Sequence, residues 1–513
     1  MAVPLGRPGN QSDQQARGSG AVINRVAKYI YPWPPPNAFS KPVWQDYLDG
    51  EYRQREMPES AEEVAADSRW PAFFSQPICL ITTTDGQQFY LEREVGPCIV
   101  NRFPYVMTIS LCRKALSERH TPRVQFMEAL EKSGIANVQF LPLGPPLDRC
   151  LDILNTYPEG QVQKRVAATG LPHRRALSNA APVFADAFMV YETHFCRPME
   201  DLYGNKIYEK PYVDVGSHRV YFLEVNCIQL RQDIADGRTQ IAWNSLAEWT
   251  PRRPTVPSAD VDQSTITRMG YIKPFTPYYK FPASNTVAFE YEGNADGMAY
   301  KHFEAFQRSH VEVIDNDKTR WPCFFPSSLG MITSRSAAGK PNLMPCGSTT
   351  VISRSPLVIS PAVTYGGIND RYRSRYTLHN IRAHSRFGVG LATVNEEMLA
   401  AIRYAGNVSA ADDPNKLRNT GLSFEDGDYS PILRGCPIHF DCEVVGEVKL
   451  GTHSMFLGEV QRILVRTDVS AENPITWNPW PVVLTDDAAD RGTSSRPEAT
   501  DGSRPRRVVA AGE

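Results

Sequence analysis

The stretch Gly451-Thr-His453-Ser-Met-Phe-Leu-Gly-Glu459-Val460 decides the fold, because Gly216-Ser-His218-Arg-Val-Tyr-Phe-Leu-Glu224-Val225 resembles it 235 positions earlier. Six further pairs of segments match in the same order, at offsets of 242 to 256: Tyr29-Ile-Tyr-Pro32-Trp with Tyr271-Ile-Lys-Pro274-Phe, Trp70-Pro-Ala-Phe-Phe with Trp321-Pro-Cys-Phe-Phe, Ile81-Thr82 with Ile332-Thr333, Arg102-x-Pro104-x-Val106 with Arg354-x-Pro356-x-Val358, Arg119-x-Thr121 with Arg375-x-Thr377, and Thr169-Gly170-Leu171 with Thr420-Gly421-Leu422. Colinear matches of this kind indicate duplication of a unit of about 240 residues.

The duplication sets the predicted domain boundaries. Each unit begins with an arm rich in proline and aromatic residues and continues into a compact domain, and Trp249 to Asp262 is typical of an extended linker. The predicted segments are a flexible N-terminus (1–28), a first arm (29–69), a first domain (70–240), a linker with a second arm (241–320), a second domain (321–470) and a disordered tail (484–513).

Composition excludes several classes of protein. The 55 basic and 57 acidic residues give a net charge of −2, without the basic excess that nucleic-acid binding requires. No apolar run is long enough to cross a membrane and residues 1–25 lack the core of a signal peptide, so we expect a cytoplasmic protein with no membrane partner. Ten cysteines without a C-x-x-C pair predict buried thiols rather than disulfides or a zinc ribbon.

Familiar catalytic signatures are missing as well. Gly339-Lys340 lacks the spacing of a P-loop, Gly388-Val-Gly390 lacks the third glycine of a dinucleotide fingerprint, and neither G-x-S-x-G nor H-E-x-x-H occurs. His379 and His384 lie five positions apart with no carboxylate to complete a ligand set, so no metal site is predicted.

The second unit predicts a mainly β fold with short helices. Short β-branched or alternating runs bounded by Gly, Pro, Ser or Asn indicate strands at Leu329–Ser334, Pro356–Val363, Phe387–Leu391, His439–Val445 and Met455–Val465. Helical apolar spacing indicates short helices at Arg375–His384 and Glu396–Tyr404. Strands that outnumber helices in this way predict a β-barrel with two or three small helices.

One segment suits an anionic or acceptor-rich ligand. Asn342-Leu-Met344-Pro345-Cys346-Gly347-Ser348-Thr349-Thr350 combines small hydroxyl residues with a glycine, and we expect a loop with uncovered backbone N–H groups. Arg371, Arg373, Arg375 and Thr377 follow at the start of a predicted helix, where guanidinium groups and helix amides both favour a phosphate. A polar turn beside a solvated basic face is the alternative interpretation.

These residues resemble the flavin reductase-like, FMN-binding split-barrel family. The resemblance covers residues 321–466 and depends on N-x-M-P-x-G-S-T-T-x-x-S-x-x-P-L-V from Asn342, on R-Y-T-x-x-N-I from Arg375, on Lys416-x-x-x-x-Gly421 and on the closing G-x-H-x-x-x-x-G-E-V. It implies a dimeric six-stranded split barrel that holds FMN, or alternatively FAD, at the dimer interface. Here the two units would form that dimer within one chain, as an intramolecular pseudo-dimer that could pair further as a homodimer.

The resemblance also implies the roles of individual residues. Asn342, Met344, Pro345, Cys346, Gly347, Ser348, Thr349 and Thr350 would line the isoalloxazine and ribityl chain, Arg375, Thr377 and Lys416 would hold the phosphate, and His453 would face the side of the flavin where nicotinamide stacks. At the offset of 251, Leu91 stands for Asn342, Glu94 for Pro345 and Pro97-Cys98-Ile99 for Ser348-Thr349-Thr350. Carboxylates disfavour an anionic ligand, so we expect the first unit, which keeps Arg165 and His218, to have lost its flavin.

Three functions remain open on the sequence. The first is an NAD(P)H-dependent flavin reductase that supplies a partner monooxygenase. The second is an FMN-dependent oxidase or monooxygenase that holds an organic substrate between the units, which the aromatic arms (Tyr29, Tyr31, Trp33, Tyr271, Phe275, Tyr278, Tyr279) favour. The third is a flavin-binding or interaction protein without turnover.

Overall fold

The computed structural model describes residues 29–30, 52–55, 76–101, 105–114, 122–142, 144–196, 199–200, 206–208, 210–231, 240–242, 246–247, 300–304, 328–354, 356–365, 374–393, 395–450, 452–466, 475–476 and 482–484 of the 513-residue chain. The predicted N-terminus 1–28, most of both arms, the predicted linker and the tail beyond 484 lie outside these residues, as do Trp70, Trp321, Arg371, Arg373 and, apart from Tyr29, the aromatic residues of the arms.

Regular elements fill most of the described chain. Its strands are β1 (Tyr29–Ile30), β2 (Tyr52–Arg55), β3 (Ile78–Thr84), β4 (Phe89–Val95), β5 (Cys98–Asn101), β6 (Val106–Cys112), β7 (Ile135–Phe140), β8 (His173–Arg175), β9 (Pro182–Phe184), β10 (Met189–Phe195), β11 (Met199–Glu200), β12 (Lys206–Tyr208), β13 (Tyr212–Val215), β14 (His218–Arg231), β15 (Gln240–Ala242), β16 (Tyr300–Glu304), β17 (Gly330–Arg335), β18 (Pro341–Cys346), β19 (Thr349–Arg354), β20 (Leu357–Thr364), β21 (Arg386–Leu391), β22 (Phe424–Asp426), β23 (Pro431–Leu433), β24 (Ile438–Lys449), β25 (His453–Arg466), β26 (Ile475–Thr476) and β27 (Val482–Leu484). Its helices are α1 (Val124–Ser133), α2 (Pro145–Thr156), α3 (Arg165–Thr169), α4 (Tyr376–His384), α5 (Glu396–Asn407) and α6 (Lys416–Asn419), with a 3-10 helix at Glu159–Lys164.

Two antiparallel sheets share one strand order. The first runs β4-β3-β7-β10-β14-β6-β5 and the second runs β18-β17-β21-β24-β25-β20-β19, so each strand has a counterpart at the same place. We call these units the first barrel (76–231) and the second barrel (328–466). The mainly β split-barrel fold predicted from the sequence is confirmed, and the shared strand order supports duplication. Each path has seven strands rather than six.

The arms cross between the barrels. Strand β2 of the first arm pairs with β25 of the second barrel, with Arg53 opposite Val465. Strand β16 of the second arm pairs with β14 of the first barrel, with Lys301 opposite Leu230. This exchange is reciprocal, as the contacts of an isologous dimer are.

An apolar cluster shared by both barrels forms their interface. Its members include counterpart pairs from the two repeats: Val100 with Ile352, Val106 with Val358, Val215 with Leu450, Val220 with Met455 and Phe222 with Leu457. All ten side chains are buried. The reciprocal cluster supports the pseudo-dimer expected from the repeat.

The predicted secondary structure of the second unit is confirmed within a few residues. Strands β17, β20, β21, β24 and β25 and helices α4 and α5 occur where the sequence predicts them, although β24 runs on to Lys449. The nine described cysteines are buried thiols, as expected. Within the described residues, no helix is both long and apolar enough to span a bilayer.

Candidate functional site

The segment 342–350 is not the loop that its composition suggests. Asn342 to Cys346 belong to β18, which pairs with β17, and Thr349 and Thr350 begin β19, which pairs with β20. Gly347 and Ser348 alone form the turn between them. Most backbone groups of the segment therefore lie in paired strands, where ladder hydrogen bonds already use many of them, and the uncovered N–H groups predicted from the sequence are confined to its turn.

Asn342 lies buried near the start of this segment. Its Nδ2 donates to Thr377 Oγ1 at 2.9 Å and to Ser334 Oγ at 3.2 Å, which joins β18 to the first turn of α4. Its Oδ1 accepts no hydrogen bond within the described part of the chain. A buried acceptor without a partner is costly, so this oxygen needs a donor from a ligand or water.

Arg375 and Lys416 are two neighbouring cations. Arg375 precedes α4 and is exposed, and Lys416 begins α6 and is 4% exposed. Burial, followed by the positive charge of Arg375, lowers the pKa of Lys416 to about 8. Neither side chain forms an ion pair with a described carboxylate. The charge of Asp413 acts on Lys416 in the opposite direction, but without an ion pair, so the two cations can still bind an anion.

His453 is joined to Arg375 through Thr364. The Thr364 hydroxyl lies 3.0 Å from His453 Nε2, and the Thr364 carbonyl accepts the backbone N–H of Arg375 at 3.0 Å. The structure thus brings Asn342, Thr377, Arg375, Lys416 and His453 into one connected region.

The remaining predicted residues lie along the segment 342–350. Met344 and Cys346 are buried in the barrel core, while Pro345 and Ser348 are half-buried. Burial raises the pKa of the Cys346 thiol, which therefore stays protonated at neutral pH. The Thr349 hydroxyl donates to the Cys346 carbonyl at 2.8 Å, so that side chain is satisfied by its own turn.

The first barrel closes one side of this region. Thr350 Oγ1 donates to the Gly96 carbonyl at 2.8 Å and accepts from Gln76 Nε2 at 2.7 Å. Gly96 has a φ of +83°, and a Cβ there would lie 2.6 Å from Thr350 Oγ1. Only glycine allows this approach of the two barrels.

The strand register corrects the alignment of the first unit with this site. Ile81 pairs with Glu92, whereas its counterpart Ile332 pairs with Met344, so the offset along β4 is 252 rather than 251. By this register, Tyr90, Glu92 and Glu94 stand for Asn342, Met344 and Cys346, and Cys98 stands for Thr350. Leu91 stands for Leu343 and not for Asn342. A shift of one residue exchanges the faces of a strand, so both glutamates lie on the face that carries Asn342 in the second barrel.

The match of Arg119-x-Thr121 with Arg375-x-Thr377 is also wrong. Arg123 precedes α1 as Arg375 precedes α4, which makes Arg123 the counterpart of Arg375. The offset is 252 both in β6 and at Arg123, so the four-residue shift implied by the offset of 256 does not occur. Arg119 and Thr121 lie outside the described residues.

A carboxylate lies between the two corresponding cations of the first barrel. Glu92 Oε2 is 2.6 Å from Arg165 Nη1 and 3.5 Å from Arg123 Nε. Arg165 is the counterpart of Lys416, and both Glu92 and Arg165 are buried. Burial alone would favour neutral Glu92, but Arg123 and Arg165 outweigh it and hold its pKa below the ordinary value.

Neighbouring acids add to this arrangement. Burial raises the pKa of Glu94 well above its ordinary value, and its Oε1 accepts the backbone N–H of Ser110 at 2.6 Å. Glu159 Oε1 accepts the N–H groups of Gln125 and Phe126 at the start of α1. The expected pair of carboxylates is therefore present, and one of them neutralises the local cations.

Sequence reasoning missed the residues that the first barrel contributes. Gln76, Gly96 and Asn101 contact the second barrel, and no local motif distinguishes them. Strands β5 and β6 correspond to β19 and β20 at a constant offset of 252 residues. This correspondence is the sequence signal that could have placed Asn101 at the interface with the second unit. Among the described residues, no three His, Cys, Asp or Glu side chains gather as a metal site would require.

Comparison with known families gives one match. Residues 323–487 match the model of the flavin reductase like domain. This range begins close to the expected start of the second domain and runs past its expected end at 470. The second barrel therefore carries a flavin reductase like domain.

Individual relatives share less than a third of their aligned residues with this chain. An uncharacterized protein of Archaeoglobus fulgidus is 29% identical over 130 residues, which are 25% of this chain and 67% of that protein. A flavoredoxin from Methanosarcina acetivorans is 21% identical, with 27% and 67% of the two chains covered and a TM-score of 0.23. Component B of nitrilotriacetate monooxygenase from Bacillus cereus is 19% identical, with 30% and 76% covered and a TM-score of 0.26.

Proposed function

Because its second barrel carries a flavin reductase like domain, we propose that this protein binds FMN there and reduces it with NAD(P)H. The observation that carries the proposal is the pair of Arg375 and Lys416, which forms no ion pair with a described carboxylate, in the same region as the unpaired oxygen of buried Asn342. The first feature fits a phosphate, and the second fits a hydroxyl donor of the ribityl chain next to it.

The first barrel supports the position of the phosphate. There, Glu92 supplies an anion between Arg123 and Arg165, the counterparts of Arg375 and Lys416. Met344 replaces that carboxylate in the second barrel and leaves both cations for an external anion. FMN carries a phosphate of nearly two negative charges at pH 7, which is the ligand such a pair binds best.

The same comparison supports one flavin per chain. In the first barrel, Glu92 already neutralises the site, and a second carboxyl group at Glu94 lies on the same face. A phosphate there would displace a buried ion pair and leave a carboxylate beside a second anion, which is strongly unfavourable.

Each part of the second barrel then has a task. Arg375, Thr377 and Lys416 hold the phosphate. Strands β18 and β19 lie along the ring and ribityl chain, and Gln76 and Gly96 of the first barrel close the end at Thr350. A bound flavin supplies the two-electron chemistry, while the protein orients it and limits access of water. His453 faces the side where nicotinamide stacks.

A reductase of this kind releases or passes reduced flavin to a partner monooxygenase. A reductase needs no site for a large organic substrate, so it is the simpler of the two functions for the connected polar region described above. The aromatic arms that favoured the oxidase lie outside the described residues.

The test is a visible spectrum of the purified protein, followed by FMN titration and an NADH oxidation assay under anaerobic conditions. We expect flavin absorbance near 450 nm to decrease when NADH is added. Absence of both FMN binding and NADH-dependent bleaching would contradict the proposal, and persistent binding without bleaching would favour a flavin-binding protein without turnover.

A further inference from the structure

Asn101 of the first barrel reaches into the second barrel at His453. This asparagine ends β5 and is buried. Its Oδ1 accepts the backbone N–H groups of Thr452 at 2.9 Å and His453 at 3.0 Å, and it also accepts the Thr452 hydroxyl at 3.0 Å. One side-chain oxygen from the first barrel therefore fixes Thr452 and His453, where β25 begins.

These hydrogen bonds determine the proton position on His453. The Thr452 hydroxyl hydrogen points to Asn101, so Thr452 Oγ1 accepts from His453 Nδ1, which lies 2.7 Å away. A neutral imidazole that carries its proton on Nδ1 has its lone pair on Nε2. The Thr364 hydroxyl, 3.0 Å from Nε2, completes the chain as a donor.

The corresponding turn of the first barrel lacks this arrangement. Ser217 and His218 stand for Thr452 and His453, and Ser353 stands for Asn101. Ser217 Oγ lies 2.8 Å from His218 Nδ1. The group that contacts Ser217 Oγ from the second barrel is the Ser353 hydroxyl, at 3.4 Å. At the position that corresponds to Asn101, the second barrel therefore has a serine hydroxyl instead of an amide.

We propose that Asn101 is a positioning residue for the reaction of the second barrel: acting through Thr452, it fixes the His453 ring as the neutral tautomer protonated on Nδ1. The inference rests on the proposed function, since that function places His453 on the nicotinamide side of the flavin. A ring with both nitrogens engaged by hydroxyl groups presents a fixed, uncharged surface to the hydride donor. The barrel that does not hold flavin thus orients a group in the barrel that does.

Two variants separate positioning from folding. Asn101→Ala removes the acceptor, whereas Thr452→Val keeps both backbone hydrogen bonds to Asn101 and removes only the hydroxyl between Asn101 and His453. Thr452→Ser restores that hydroxyl and is the residue found at Ser217. Ser217→Ala makes the matched change in the first barrel.

The readouts are the ¹⁵N chemical shifts of His453, the FMN dissociation constant, and kcat and KM for NADH. We expect wild type, Thr452→Ser and Ser217→Ala to keep the Nδ1–H tautomer. Asn101→Ala and Thr452→Val should give a mixture of tautomers and about a tenfold lower kcat/KM, with FMN affinity within twofold of wild type because the phosphate site is untouched.

An unchanged tautomer and kcat/KM in Thr452→Val would overturn the inference, as would an equal effect of Ser217→Ala. A wild-type protein that oxidises no NADH would refute the proposed function instead. The tautomer shift in Asn101→Ala and Thr452→Val would then decide by itself whether Asn101 orients His453.

Discussion

At the scale of single residues, Arg375 carries most of the proposed selectivity for a phosphorylated flavin. Arg375→Ala removes a charge-assisted contact, for which about 1.5 to 3 kcal/mol is typical. FMN binding should therefore weaken by roughly 10- to 150-fold. Riboflavin, which has no phosphate, should bind the variant and wild type alike, and fluorescence titration with both ligands measures this. Equal losses for the two ligands would place Arg375 away from the phosphate.

Lys416 predicts a pH dependence of the same affinity. Its pKa of about 8 in the free protein means that it is charged below pH 8 and becomes neutral above it. A bound phosphate favours the charged form and raises this pKa, so binding takes up a proton between the two values. The FMN dissociation constant should increase above pH 8, by up to about tenfold per pH unit, until the pKa of the complex is reached.

Two controls isolate the contribution of Lys416. Riboflavin affinity should not show the increase, and Lys416→Met should bind FMN more weakly at pH 7 without further loss between pH 8 and 9. If Lys416→Met retains the pH dependence of wild type, another group titrates in that range.

Met344 stands where the first barrel has the buried carboxylate of Glu92. Met344→Glu would copy Glu92 of the first barrel and place a carboxylate beside Arg375 and Lys416. FMN binding should then fall by at least 100-fold, because the internal anion competes with the phosphate at a fixed position. Met344→Gln has nearly the same shape without the charge and should lose much less. Isothermal titration of both variants at pH 7 provides the comparison, and similar losses would show that the polar group rather than its charge weakens binding.

Local sequence indicates where some of the candidate site residues stand. Arg375, Thr377 and His453 lie at the starts of a helix and a strand that the sequence predicts, and the structure connects them with Asn342 and Lys416, whose elements it does not predict. The roles of these residues in binding remain predictions. Asn101 and Gln76 could not be found in this way, since they act across an interface whose register no local pattern reveals.

At the scale of elements, the second glycine of the closing motif has a packing role. Gly458 lies in β25, and a Cβ there would come within 2.3 Å of Cζ of Phe387, which is fully buried in the core. Gly458→Ala should therefore destabilise the protein by about 1–3 kcal/mol, as overpacking usually does.

Chemical denaturation measures this loss, with Gly446→Ala as the control on the neighbouring strand β24. The nearest atom there is Leu457 Cδ1 at 3.1 Å, the flexible end of a side chain that can move aside. A Gly458→Ala variant no less stable than Gly446→Ala would mean that the Phe387 ring has room that the structure does not show.

Element prediction failed at strands β18 and β19. The segment 342–350 contains proline, glycine and four small polar residues, which are typical of a loop. Pairing with β17 and β20 overrides that composition, although β18 and β19 stand at the two ends of the strand order. The longer, β-branched strands of the same barrel were predictable because their periodicity agrees with their burial.

At the scale of the whole molecule, the asymmetry between the barrels predicts one FMN per chain. Flavin released by denaturation after saturation and desalting can be counted by absorbance against protein concentration. The ratio should be close to one, since Glu92 occupies the anion position of the first barrel. A ratio near two would show that the first barrel binds flavin despite its carboxylates.

The apolar cluster shared by the barrels also affects how the protein is synthesised. Val106, Val220 and Phe222 are made early, but Met455 and Leu457, which cover them, follow more than 200 residues later. At about 5–20 residues per second, a ribosome needs roughly 10 s or more to supply that cover. During this interval the nascent first barrel exposes the very surface that an unfused subunit would offer to a second copy. Fusion therefore replaces the encounter of two separate subunits in solution by a delay during synthesis, until the second half of the same chain has emerged.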